Sequence, residues 1–482
     1  MLSRILPILL CLVFSPLQNT NAAIELPAVI GNHAVLQMEM KVPIWGKADP
    51  GTEITVTFAN QMVTAITDES GDWRADLAPL EASAEGRKMI IAGGGERIVL
   101  KDILVGVVWL CGGQSNMEWT VRESMNPKEE MAAGDLPWLR CINAPRRLTA
   151  TPEFTVDARW KVSTPKTCGD FTAVGTYMAR RIHEELGVPV GLLDVNYGGT
   201  RIEGWIDLDS FAAHPRFRGR IREELFGANG PKGELTPEMP EVQLSDPAVL
   251  FNGMTAAFVP YAIQGAIWYQ GEANDSQEEA EEYKELLPLL IHSWRKQWDS
   301  DFAFGIVQLA AYLAVSDDPV QGGWAYIRNA QDFTHRIVSN TGMAVLTDIG
   351  DARDIHPLNK QDVGRRLADW ALNRCHGRSD LPESGPIYLR SKVDGKAMLL
   401  EFTHCGDGLV GRRGKPIDGF AIQGQDGRWH WGVAEVSGPT EIRVTHPQVQ
   451  TPKAVRYAWQ DNPVRANVVS SFGLPMAPFK TD

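Results

Sequence analysis

The sequence predicts an α/β protein: a parallel sheet covered by helices on both faces, with β-rich regions before and after it. Three observations predict it. Nearly continuous apolar runs of strand length recur through the middle of the chain, as expected for strands buried on both faces. Helical patterns fill the intervals between them, which implies right-handed βαβ units. Both ends carry short segments that alternate apolar and polar residues and break at turn residues.

Taken in chain order, the first residues, "MLSRILPILLCLVFSPLQNTNAA", read as a secretory signal. They contain Arg4, an apolar stretch from Ile5 to Leu17 that is too short to span a bilayer, and a small-residue cleavage site near Ala22/Ala23. This predicts a secreted or periplasmic protein without stable membrane insertion. From 24 to 101, "KVPIWGKA", "EITVTFAN", "MVTAITD" and "RKMIIAGG" predict a small β-sandwich. The region 102–380 begins at "DILVGVVWL". It continues with "VPVGLLDVNYGG", "AIQGAIWYQG", "FAFGIVQLA" and "GMAVLTDIG". Helical patterns lie between these runs. In "FTAVGTYMARRIHEELG" the residues Phe171, Val174, Met178, Ile182 and Leu186 share a face. "SQEEAEEYKELLPLLIHSWRKQW" runs from acids to bases, and Pro288 predicts a kink or a later start. The stretch from Arg216 to Val249, rich in Pro, Gly and acids, reads as an insertion or lid, and 381–482 reads as a second β-rich region.

The chain has 482 residues, enough for two to four domains, and a formal net charge of −13 that argues against a nucleic-acid partner. Past the signal, Cys111, Cys141, Cys168, Cys375 and Cys405 make an odd number, so at least one is free within a chain. No CxxC pair or HExxH helix is present, so neither a metal nor another cofactor is called for. The oligomeric state is left open.

In an open parallel sheet, ligands bind beyond the carboxyl ends of the strands. Four such ends carry small or polar groups: "CGGQSN", "NYGGTRIEGW", "WYQGEAND" and "DIGDARDIHP". Ser115 sits behind Gly112 and Gly113, where a helix start would aim amide N–H groups at a developing oxyanion. The GxSxG elbow is absent, because Met117 stands two after the serine. Gly198 and Gly199 let backbone approach a ligand closely, and Asn274 offers an amide donor. Glu272 either orients a histidine or is a solvated loop acid. His356 lies beside Asp348, Asp351 and Asp354, and Asp354, two before it, can fix the tautomer that leaves Nε2 free as base. Gln114, Gln270 and Arg201 are the candidate substrate contacts.

Together these stretches resemble the SGNH hydrolase superfamily, and within it the sialate O-acetylesterase-like branch. The resemblance rests on "VGVVWLCGGQSNMEW", "YGGTRIEGWI", "AIQGAIWYQGEAN", "DIGDARDIHPLNKQDVGRRLADWAL" and the closing "VRYAWQDNP", and it covers nearly the whole chain past the signal. It implies a three-layer α/β/α esterase domain that removes O-acetyl groups from carbohydrate without a metal. It makes Ser115 the nucleophile and His356 the base, with an oxyanion hole formed by the Ser115 N–H, Gly199 and Asn274. The family's acid commonly stands three before the histidine, where this chain has Arg353, so Asp354 takes that role. Glu272 is the alternative, because related acetylxylan esterases with a "QGE" motif use that residue. Arg201 replaces a smaller residue after "GGT" and would pair with a substrate carboxylate or with Glu203. The substrate reading is acetylated sialic acid, with acetylated xylan or another polysaccharide as the alternative. An inactive carbohydrate-binding protein and a thiol enzyme using Cys111 are the remaining readings.

Overall fold

The computed structural model describes residues 23–222, Leu225 and 241–482. The expected signal, through Ala22, and half of the expected lid lie outside the described residues. Among the described residues no helix is long and apolar enough to cross a membrane.

Residues 23–95 contribute six strands: β1 (Val35–Gln37), β2 (Val42–Lys47), β3 (Glu53–Phe58), β4 (Gln61–Ile66), β5 (Asp72–Leu77) and β6 (Ser83–Gly93). Alternation puts Ile54, Val56 and Phe58 of β3 into the core and the intervening residues toward solvent. The next strand, β7 (Glu96–Gly113), is 18 residues long and belongs to two parts of the molecule. Its first half pairs antiparallel with β6; its second half, from Val107, lies parallel between two strands of the central sheet. The expected boundary at 101/102 therefore falls inside one strand. What the sequence registered there is a local bend: Asp102 has φ 56°, a left-handed conformation that Asp tolerates better than most residues. Its carboxylate accepts from His33 at 2.7 Å and from Arg140 at 3.1 Å.

The central sheet continues with β8 (Leu136–Asn143), β9 (Lys161–Ser163), β10 (Val190–Asn196), β11 (Gly265–Tyr269), β12 (Ala303–Val307), the two-residue β13 (Ala311–Tyr312) outside it, and β14 (Thr341–Ala344). Its order is β14-β12-β11-β7-β10-β8-β9, parallel except for β9 at the edge. Strand β8 was not expected, because Arg140 interrupts its apolar run; the side chain is buried against Asp102, which makes the charge tolerable.

Helices cover both faces. Successive strand residues point to opposite sides, and they meet different helices. Trp109 of β7 meets Trp370 of helix Lys360–His376 at 6.0 Å between centroids, whereas Trp268 of β11 meets Trp294 of helix Gln277–Trp298 at 5.6 Å. Helix Gln277–Trp298 runs through Pro288 unbroken instead of starting there. A capping box between Ser276 and Glu279 holds its start, and its buried stripe of Leu286, Leu287, Leu290, Ile291 and Trp294 fixes the rest. One core spans the N-terminal strands and the sheet, and a second lies in the β-rich C-terminal region around Phe402, Phe420, Tyr457 and Phe479. Buried Arg328 joins the parts by donating to the carbonyls of Leu309, Ala310, Gln460 and Asp461.

Candidate active site

The order of the sheet puts β7 between β10 and β11, where the chain's direction of growth reverses, and ligands in such sheets bind at that point. Ser115 follows β7 directly. Gly113 has φ 148°, and a side chain there would overlap the carbonyl oxygen of Tyr269 on β11. The close approach lets the Gln114 N–H donate to that carbonyl at 3.1 Å. Ser115 then opens a one-turn helix, Ser115–Glu118. Among the described residues nothing accepts the Ser115 N–H, one of the orphan donors of a helix start.

The loop beyond β14 returns to the same place. His356 Nε2 lies 2.9 Å from Ser115 Oγ, and His356 Nδ1 lies 3.2 Å from Asp354 Oδ1. The same Asp354 oxygen accepts the His356 N–H at 2.9 Å, so the carboxylate grips ring and backbone together. The two other acids are used elsewhere: Asp348 pairs with Arg366 and Arg412, and Asp351 accepts the Arg353 N–H. Trp119 stacks on the imidazole with centroids 4.4 Å apart and planes 12° apart. Burial holds the His356 pKa below its ordinary value, against the pull of Asp354 in the other direction. The ring is therefore neutral near pH 7, with Nδ1–H donating to Asp354 and Nε2 free to accept from Ser115.

Beyond β10, Gly198 packs against Ser115 and donates its N–H to Glu118 Oε2 at 2.9 Å; Glu118 is itself held by Arg146. Gly199 has φ 75°, and its N–H has no acceptor among the described residues. Asn274 is fully buried. Its Oδ1 accepts from the Ile202 N–H at 3.2 Å and from Gln270 at 2.9 Å, which fixes the amide's orientation. One Nδ2 hydrogen then goes to Glu203 at 3.1 Å and the second remains available.

Several expected contacts take different places. Glu272 does not touch His356. Its Oε1 accepts from Asn116 Nδ2 at 2.6 Å, and desolvation of this half-buried carboxyl raises its pKa. Gln114, expected against substrate, is buried and accepts the Ala273 N–H at 3.3 Å. Gln270 is likewise buried: its amide donates to Thr200 O and Asn274, and its oxygen accepts from Tyr283. Arg201 pairs with Glu279 at 2.6 Å and Glu203 at 3.5 Å, the second of its two expected roles. Cys111 is buried, which pushes its thiol up and away from thiolate chemistry, and all five cysteines described are free. Three residues at the site went unread: Trp119, Asn116 and Lys360. Each lies within a stretch quoted for the resemblance, but an aromatic, an amide and a lysine at those places carry no signal until the loops are folded together.

Residues 249–373 match a family described as carbohydrate esterase, sialic acid-specific acetylesterase. The sialate O-acetylesterase of Mus musculus is 30% identical over 509 residues, covering 93% of this chain and 93% of its own. That of Homo sapiens is 29% identical, covering 93% and 91%. The crystal structure of a carbohydrate acetylesterase from Xanthomonas citri is 33% identical with a TM-score of 0.85, over 95% of this chain and 100% of that one. The chain belongs to the sialate O-acetylesterase family and is a carboxylic ester hydrolase.

Proposed function

We propose that this chain is an SGNH-type serine esterase that removes O-acetyl groups from carbohydrate through an acetyl-serine intermediate, with acetylated sialic acid as its substrate. The observation that carries the reading is the Ser115 Oγ to His356 Nε2 contact of 2.9 Å, with Asp354 on the other ring nitrogen. His356 takes the Ser115 proton as Oγ bonds to the acetyl carbon. The oxyanion is met by the Ser115 and Gly199 N–H groups and the free Asn274 amide hydrogen, each worth roughly 3 kcal/mol in a preorganised site. The C–O bond to the sugar breaks, and His356 returns its proton to the departing sugar oxygen. Water then repeats the cycle on the acetyl-enzyme and releases acetate.

A second reading has its own support. The Xanthomonas citri enzyme is described only as a carbohydrate acetylesterase, so acetylated xylan or a related glycan shares every catalytic residue. A binding protein has no use for a serine hydrogen-bonded to a histidine, which weighs against the inactive alternative. The same reading makes residues 1–23 a cleaved export signal and divides the rest into 24–101, a catalytic part 102–380, and 381–482, with β7 running across the first of these boundaries.

The test is acetate release from O-acetylated sialic acid and from acetylated xylan, side by side. We expect Ser115→Ala and His356→Ala each to lose at least about 10³-fold in kcat while folding normally. Retained turnover in either sinks the mechanism. Release from xylan alone selects the second substrate.

A further inference from the structure

Beside the serine and histidine lies a group of three residues, Asn116 and Lys360 buried and Glu272 half-buried, that the chemistry above leaves unused. Asn116 is 2% exposed and every polar atom of its amide is engaged. Its Oδ1 accepts from Lys360 Nζ. Its Nδ2 donates to Glu272 Oε1 at 2.6 Å and to the Ile355 carbonyl at 3.0 Å. Asn116 is the residue after Ser115, and Ile355 is the residue before His356. One side chain thus ties the nucleophile turn of β7 to the base loop beyond β14, two segments 239 positions apart.

We infer that Asn116, held by Lys360 and Glu272, is a clamp that sets the spacing between Ser115 and His356. This deepens the serine-esterase reading and rests on it. An ordinary structural pair would not look like this. Lys360 is 0% exposed at the first position of helix Lys360–His376, where the positive end of the dipole disfavours a cation. Glu272 Oε2 is buried with no hydrogen-bond partner among the described residues. Among the described residues the two charges make no direct ion pair, because the Asn116 amide stands between them, and charges taken out of water without a direct partner add little stability compared with apolar packing. What this pair does is fix the amide: the cation claims its oxygen and the carboxylate claims one hydrogen, so the second hydrogen must point at Ile355.

The charged groups around the clamp are few. Lys360 faces Glu272 and Asp354, with its Nζ 5.0 Å from the centre of the Tyr269 ring. Glu272 faces Asn116 and Lys360, with the phenols of Tyr269 and Tyr283 nearby. His356 faces Asp354, Glu123 and Lys360. Burial lowers Lys360 to about 7, and its protonated form opposes protonation of the imidazole.

The experiment measures kcat, KM and the pH profile on p-nitrophenyl acetate. Asn116→Ala is expected to lower kcat about 10- to 100-fold with KM within about two-fold, since misplaced reacting groups lose rate rather than binding. Lys360→Met is expected to move the acid limb of kcat/KM upward by about half a pH unit. Glu272→Gln keeps an oxygen for Asn116 and is expected to stay within about five-fold of wild-type kcat. If Asn116→Ala does not fold, Asn116→Asp keeps the shape while losing both donated bonds, and the same kcat loss is expected. Wild-type kcat in the Asn116 variant, or an unmoved acid limb in Lys360→Met, overturns the clamp. So does a Glu272→Gln loss as deep as that of His356→Ala, which would make Glu272 the partner of the base. Ser115→Ala on the same substrate separates the failures: if it is active, the serine reading falls, and if it is inactive beside a wild-type-like Asn116 variant, only the clamp falls.

Discussion

At the scale of single residues, the site depends on how two environments act on His356. Burial lowers its pKa from 6.5 and the nearby Asp354 raises it, with burial the larger effect. A lowered pKa keeps the imidazole neutral into more acidic solution. The acid limb of kcat/KM is therefore expected below pH 6.5, as a rate profile on a simple acetyl ester would show. Asp354→Asn removes the attraction and moves that limb further down. Asp354 is 52% exposed on its side chain, so solvent screens much of its charge. The kcat loss in Asp354→Asn is expected to be about 10- to 100-fold, smaller than for a buried triad acid.

Among the elements, the decisive one is the strand that leads into Ser115. Gly113 ends β7 at φ 148° with its α-carbon against the Tyr269 carbonyl, so a methyl group there must push β7 and β11 apart. Gly113→Ala is expected to destabilise the protein by about 3 kcal/mol through overpacking and backbone strain. It also shifts Ser115 away from His356, so thermal unfolding and kcat should fall together. Wild-type values for both would mean that the turn does not need its close approach. The residues on either side of β7 read differently from sequence. The continuous apolar run announced a buried strand, whereas its extension back through Glu96 was hidden by the polar bend at Lys101 and Asp102.

For the whole molecule, one buried carboxyl makes folding depend on pH. Asp194 of β10 is 2% exposed, and burial raises its pKa from 3.8 to about 7 despite hydrogen bonds from Asn143 and Asn196. Between those values the folded chain holds a proton that the unfolded chain releases. The contribution is fully present below pH 3.8 and is lost as pH rises through about 7. Its full size is about 4 kcal/mol. In Asp194→Asn, permanently neutral, the thermal midpoint is expected to lose part of its decline between pH 4 and 7. An unchanged slope in calorimetry would show that Asp194 stays ionised.

By itself the sequence determined the kind of fold and the neighbourhood of the chemistry, because both are written in local pattern. Uninterrupted apolar runs mark strands buried on two faces, and the polar residues that end them mark the rim where ligands bind. It named Ser115, Gly199, Asn274 and His356, each just past a strand, and the structure brings the serine and histidine into contact. The tertiary structure alone decided which carboxylate the histidine meets. Asp354 and Glu272 read as rivals on paper, but reach and burial are three-dimensional: Asp354 curls back onto its own loop, while Glu272 descends into the core toward Asn116. It also turned Gln114 and Gln270 inward, since an amide beside a strand end is recruited by unpaired backbone before any sugar reaches it. Strand register and the pairing of distant loops set those choices, and no single segment contains them.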